Sequence, residues 1–248
     1  SATTVQAVHA RVRRVFDLDR DVVAMRQALG HDPFMAMLLD RHVGVRVPGG
    51  WTPFELAVRA VLGQQVTIAA ARSLAAHLVQ LCGTRGFPSP AAVLATDLAP
   101  LRMPGARKAT LHALAEATLQ RPDLFRTADS LDVTIARLRA VRGVGDWTAH
   151  YIALRALRAP DAFPASDVGL LRGVAGDMGS RPSSRALLAR AEAWRPHRAY
   201  AAQLLWAEDG GGARIAGNAG NAGNAGNAGN AGNADDGEGG LAEPAGDA

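Results

Sequence analysis

The chain has 248 residues, 48% of them apolar, and 27 lysines or arginines against 23 acids for a net charge of +4. That is enough to bury one substantial core or two small ones. No stretch reaches the roughly 18 to 20 uninterrupted apolar residues of a membrane helix, no charged-then-apolar leader opens the chain, and the single cysteine, Cys82, excludes an internal disulfide and any four-cysteine metal site.

In chain order the sequence reads as helix after helix. "TTVQAVHARVRRVFDL" (3–18) opens on threonine caps and repeats apolar residues at Val5, Val8, Val12, Val15 and Phe16, a helical period. "RDVVAMRQAL" (20–29) follows and is stopped by Gly30. Residues 43–50, "VGVRVPGG", alternate like a strand but stand too isolated to seed a sheet. "TPFELAVRAVLGQQ" (52–65) puts Thr52 and Pro53 at cap and first-turn positions. The next stripe, Val66, Ala69, Ala70, Ser73, Leu74, His77, Leu78 and Leu81, ends at Gly83, with Cys82 expected as a buried small hydrophobe. Further helices fit 89–95, 104–120, 131–139, 146–157, 168–174, 183–193 and 197–208. Short connections punctuated by glycine and proline complete an all-α reading.

From residue 216 the chain repeats Ala-Gly-Asn six times and then turns acidic, so residues 210–248 read as a disordered tail without a core. Its five acids, Asp235, Asp236, Glu238, Glu243 and Asp247, leave residues 1–215 at net +9. Only Lys108 among the basic residues is a lysine, and guanidinium forks suit phosphate oxygens; codon bias in a GC-rich genome would give the same preference. With no initiator methionine before Ser1, the chain reads as a piece of a longer polypeptide, cut internally or at a fusion junction.

The tightest connection lies between the helices ending near Ala140 and beginning near Asp146, with Gly143 and Gly145 inside it. Such a turn needs positive φ, which glycine adopts at little cost, and it leaves N–H donors uncovered at the positive end of a helix. That makes either an ordinary corner between helices or a seat for a phosphate. Trp147 and Tyr151 follow one turn apart on one helical face.

"GVGDWTAHYIALRAL" and the following "RAPDAFPASDVGLLRG" resemble the helix–hairpin–helix DNA glycosylases, whose hairpin reads Pro-Gly-(Val/Ile)-Gly-x-x-Thr-Ala and precedes a catalytic aspartate. Gly143, Val144, Gly145, Thr148 and Ala149 match the hairpin, and Asp167 falls at the aspartate. "FELAVRAVLGQQVTIAAARSLAAHLVQLCG", "LRMPGARKATLHALAEA" and "AEAWRPHRAYAAQLLWAE" extend the resemblance over roughly residues 8–209. They favour the alkylation-repair branch, 3-methyladenine DNA glycosylase II. Arg142 departs from the pattern by replacing the hairpin proline, giving up rigidity for a phosphate contact. Asp146 is expected to cap the helix and point away from DNA.

The resemblance implies two helical subdomains flanking a DNA-binding cleft. Residues 1–50 would be N-terminal helices joining the C-terminal subdomain, and 51–209 the glycosylase core with the C-terminal helices. Full-length relatives begin with a small β-containing domain, and the chain is expected to start where that domain ends. The implied partner is duplex DNA with alkylated bases, bound by a monomer that is bacterial, cytoplasmic and nucleoid-associated, with no membrane contact.

Breaking an N-glycosidic bond builds positive charge on the sugar, which a carboxylate near C1′ stabilises while it orients or deprotonates water. Asp167 is the candidate; its "FPASDVGLL" setting also suits a helix cap, and the two roles are compatible. Asp161 is its nearest competitor and reads as a loop carboxylate. A cationic alkylated base needs no general acid and should be recognised by aromatic faces, for which the resemblance offers Trp147 and Trp206; Tyr151 serves either the pocket or the core. Trp147 stands where members with lyase activity carry a lysine, so the expected enzyme is monofunctional and leaves an abasic site. Gln64 and Gln65 match the wedge that fills the gap left by a flipped base, or else hydrogen-bond a helix junction. No cofactor is expected, apart from a cation that backbone carbonyls near Gly143 and Gly145 hold in this family. Two other readings stay open: a non-catalytic helix–hairpin–helix DNA-binding module, from which Asp167 would distinguish an enzyme, and a glycosylase for deaminated or oxidised bases.

Overall fold

The computed structural model describes residues 2–210, and the expected tail lies, from residue 211 on, outside the described residues. The described chain is all-helical: α1 (Ala2–Val15), α2 (Val22–Leu29), α3 (Pro33–Arg41), α4 (Pro53–Leu62), α5 (Ile68–Leu81), α6 (Pro90–Ala95), α7 (Gly105–Gln120), α8 (Leu131–Arg139), α9 (Asp146–Arg155), α10 (Val168–Gly173), α11 (Ser184–Arg190), a 3-10 turn (Ala191–Trp194) and α12 (Arg198–Gly210). Among the described residues no helix is long and apolar enough to cross a membrane.

Most helix starts are written in the sequence as caps. The hydroxyl of Thr52 accepts the Glu55 N–H at 3.1 Å, with Pro53 in the first turn, and Thr67, Ser89, Ser130 and Ser183 cap α5, α6, α8 and α11 in the same way. Each such cap is worth about 1 kcal/mol. Helix α3 was not among the elements expected from sequence. Its signals are nevertheless present: Asp32 accepts from the Phe34 and Met35 N–H groups, Pro33 occupies the first turn, and Met35, Leu38 and Leu39 form its buried face. Residues 43–50 form no strand; Val47 is buried and its N–H bonds the Asp17 carboxylate instead of a neighbouring strand. Cys82 is half-buried rather than a core residue and receives the Thr96 hydroxyl at 3.3 Å.

The helices pack in two groups. In the first, α4 is central, against α5, α7 and α9, with α6 on α7 and α8 on α9. Its apolar content explains the position: Phe54, Ala57, Val58, Ala60, Val61 and Leu62 are all buried, so it needs partners on several sides. In the second, α12 packs against α3, α10 and the 3-10 turn.

Polar clasps tie the early helices to the late ones. Asp32 accepts from the Trp194 indole at 3.0 Å and pairs with Arg190, while Glu208 bonds His42 at 2.9 Å and pairs with Arg41. Burial works against the Asp32 anion, but the bonds from Arg190, Trp194 and Met35 prevail and hold its pKa at about 2. Helix α1 shows the opposite behaviour, because its apolar stripe, Val5, Val8, Val12 and Phe16, is exposed.

Candidate active site

The glycine turn between α8 and α9 is built from two unlike glycines. Gly143 sits at φ +84°, and a Cβ there would come within 1.8 Å of the Thr110 hydroxyl on α7. The fold itself therefore requires a glycine. Gly145, the N-cap of α9, has extended backbone at φ −83° and ψ −179°, and a Cβ would meet nothing within 4 Å. Nothing inside the protein demands that it be bare. No side chain caps α9, so its first-turn N–H groups open outward beside the exposed Arg142.

This corrects the expectation for Asp146. It lies inside the first turn, donates no cap, and makes only a 3.8 Å pair with Arg139, because Gly145 has already taken the N-cap position. Val144 and Thr148 are buried, and Thr148 also lines the cleft described below. The Gly145 carbonyl accepts the Ala149 N–H at 2.9 Å as the first bond of α9 and so points along the helix.

Both glutamines line the cleft described next, in different settings. Gln64 donates from its side-chain amide to the Thr148 hydroxyl at 2.9 Å, and its backbone carbonyl takes the Arg107 guanidinium, so it also ties α7 to α9. Gln65 is exposed, in left-handed backbone at φ +54°, and borders the cleft described next. A non-glycine residue held there costs on the order of 1 kcal/mol, and this conformation turns its side chain away from the helix line.

A cleft of about 630 Å³ runs from the glycine turn past Gln65 and Trp147 to Ser166, Val168 and Leu171, and on to residues 181–184. Asp167 lies behind Trp147 and is 1% exposed. Its Oδ1 is saturated, accepting the Gly169 N–H at 2.9 Å, the Leu170 N–H at 3.2 Å and the Trp206 indole at 2.9 Å. Its Oδ2 accepts the Trp147 indole at 2.9 Å. Asp167 is thus the N-cap of α10 and a candidate reactive group at once, with Oδ2 bonded to the indole that lines the cleft. Burial pushes its pKa above the usual carboxylate value, while the two indole and two backbone N–H bonds pull the other way without cancelling it.

The aromatic residues form one stack. Trp147 lies against Tyr151 with ring centroids 5.1 Å apart and 20° between planes, and Tyr151 meets Trp206 edge-on at 6.2 Å. Trp147 is half-buried and faces the cleft, whereas Tyr151 and Trp206 are buried behind it. Burial raises the Tyr151 pKa, keeping the phenol neutral. Arg155 completes the cluster, its guanidinium 4.8 Å from the Trp206 ring centroid and 5.8 Å from that of Tyr151, with a bond to the Pro48 carbonyl at 3.2 Å. Sequence reasoning missed it. Its signal was position: Arg155 follows Tyr151 by one turn on the same, otherwise apolar, face of α9.

Asp161 is engaged elsewhere. Arg198 holds it at 2.7 and 2.9 Å and Arg195 pairs with it, so it braces the start of α12. Lys108 donates to the Ala99 carbonyl at 2.6 Å, outside the cleft lining.

A glycine-turned helix pair bordering a cleft, with a buried carboxylate capping the next helix, defines a class. The chain belongs to the HhH-GPD superfamily of base excision DNA repair proteins, whose model matches residues 58–198. Residues 1–52 match the AlkA N-terminal domain, so the chain carries sequence of that domain rather than starting beyond it. Among curated relatives it is 40% identical over 207 residues to a probable bifunctional transcriptional activator/DNA repair enzyme AlkA of Mycobacterium tuberculosis, covering 79% of this chain and 42% of that protein. To DNA-3-methyladenine glycosylase 2 of Escherichia coli it is 33% identical, covering 81% of this chain and 71% of the relative. The fold matches that of a 3-methyladenine DNA-glycosylase from Archaeoglobus fulgidus with a TM-score of 0.73 at 22% identity, over 84% of this chain and 76% of the other. The chain thus spans well under half the length of the mycobacterial relative.

Proposed function

We propose that this protein is a monofunctional DNA glycosylase that hydrolyses the N-glycosidic bond of alkylated purines, of the 3-methyladenine and 7-methylguanine type, in duplex DNA. The observation that carries the reading is Asp167: a buried carboxylate whose Oδ1 is fully committed to donors while Oδ2 is held by one indole at the edge of the cleft.

In this reading the glycine turn seats a phosphate on the N–H groups opening α9, and Gln65 enters the space vacated by the flipped nucleotide. The base stacks on the exposed face of Trp147. Displacement of the Trp147 indole then frees Oδ2 for the sugar. As the C1′–N bond lengthens, positive charge develops on the deoxyribose, and the Asp167 anion stabilises it where little water screens the attraction. Water completes the substitution at C1′, its proton passing to Oδ2 or to solvent. The base departs with the bonding electrons, and an alkylated purine, already cationic, becomes neutral without a general acid. Trp147 has no amine with which to attack C1′, which supports hydrolysis without strand cleavage. The chemistry requires no cofactor.

The test is incubation of methylated duplex DNA with the unaltered protein and with Asp167→Asn, reading free 3-methyladenine and 7-methylguanine by chromatography. Release by the unaltered protein alone is expected; no release from either sinks the enzymatic reading. Borohydride should trap no covalent protein–DNA adduct, and an adduct would overturn the monofunctional assignment.

A further inference from the structure

The far wall of the cleft, residues 181–184, has no task in the mechanism above. Arg181 is the charged residue among the described residues lining this cleft. It is exposed, and no described residue forms an ion pair or hydrogen bond with it. Its neighbours contrast with it. Arg172 on α10 is held by both oxygens of Asp209 at 2.7 Å, and Arg190 on α11 bonds Asp177 at 2.9 Å and pairs with Asp32.

The backbone carrying Arg181 is pinned. Gly179 turns the chain at φ +71°, the Pro182 ring fixes the next φ, and Ser183 caps α11 through the Ala186 N–H at 3.2 Å. A cation presented from such a segment loses less freedom on binding than one on a loose loop. It lines the cleft from an exposed position, on a segment separate from the glycine turn and Trp147. A planar guanidinium offers two parallel N–H donors to the two unesterified oxygens of a phosphodiester.

We propose that Arg181 binds a DNA backbone phosphate beside the nucleotide extruded into the cleft, so that the strand is held at the glycine turn and again across from it. This rests on the DNA glycosylase reading of the cleft.

Anisotropy titrations would compare the unaltered protein, Arg181→Ala and Arg181→Lys on a duplex carrying a tetrahydrofuran abasic analogue and on the matched undamaged duplex, over a salt series. Arg181→Ala should weaken binding to the analogue duplex about tenfold and lower the slope of log affinity against log salt by about one. Its loss on undamaged duplex should be smaller, Arg181→Lys should keep the slope, and both variants should melt like the unaltered protein. Unaltered affinity and slope for Arg181→Ala overturn the proposal, as does slowed base release with intact binding, which would put the guanidinium on the base. If the unaltered protein releases no methylated base yet its binding depends on Arg181, the glycosylase reading fails and the phosphate contact stands. If it binds neither duplex, the contact fails as well.

Discussion

The glycine turn lines the cleft directly, the Asp167 cluster meets it through Trp147, and the two are built on opposite principles. The turn is open: its donors are backbone N–H groups, no side chain caps α9, and a Cβ at Gly145 would touch nothing. The cluster is closed: Asp167 has four N–H donors on its two oxygens and Arg155 and the aromatic rings around it. An open site is ready before its ligand arrives, whereas a closed one must move, and in the proposed mechanism the group that moves is the Trp147 side chain. Binding and chemistry should therefore separate under mutation.

The largest effect is expected at the closed end. Asp167→Asn keeps an acceptor for the α10 cap but removes the charge that stabilises the sugar, so base release should fall about 10²- to 10³-fold while duplex binding holds. The raised Asp167 pKa adds a pH signature. Between the unfolded value, 3.8, and the higher folded one, the native state keeps a proton the unfolded state has released. This group's contribution to stability therefore falls as pH rises through that window, and Asp167→Asn should lack that component in melting curves. Activity should run the other way, rising with pH as the anion forms. An acid limb at or below the ordinary carboxylate range would remove burial as the controlling influence on this group.

At the open end the fold should respond more than the chemistry. Gly143→Ala forces a β-carbon onto the Thr110 hydroxyl and a left-handed backbone on alanine, which together cost about 3 kcal/mol of stability. Chemical denaturation would show this as a lower midpoint with unchanged slope. A cost under about 0.5 kcal/mol would mean that α7 yields easily and that Gly143 is not needed for packing.

How much of this was legible in sequence depended on whether a feature is local. The caps at Thr52, Asp167 and Ser183 and the glycine stops are local, and they placed most helices within a few residues. Asp32-Pro33 is an equally local signal, yet the helix it starts was passed over, because its short apolar run has little room to show a period. Asp146 failed for the converse reason: an acidic residue near a helix start resembles a cap, but which residue takes the N-cap is decided by the backbone of the turn. Spatial relations were hidden. No pattern says that Gln64 bonds Thr148 while Gln65 beside it is exposed, or that Arg155 lies on the faces of Tyr151 and Trp206. The apolar stripe of α1 shows the limit of periodicity, which predicts that a helix has an apolar face but not what meets it.

Trp147→Phe keeps a ring against Tyr151 and removes the indole N–H that holds Oδ2. That donor favours the ionised carboxylate, so its loss should move the acid limb of activity to higher pH. An unmoved acid limb would show that the indole covers Asp167 without tuning it. Gly145→Ala should be the quietest of these changes to the fold. Its backbone lies in a region any residue adopts and the added methyl has space, so the melting temperature should stay where it is. Duplex affinity should still fall, because a phosphate seated on the N–H groups opening α9 would approach the Cα from that empty side. Loss of affinity without loss of stability is the outcome that assigns the bareness of Gly145 to a ligand; equal affinity would return the turn to an ordinary corner between two helices.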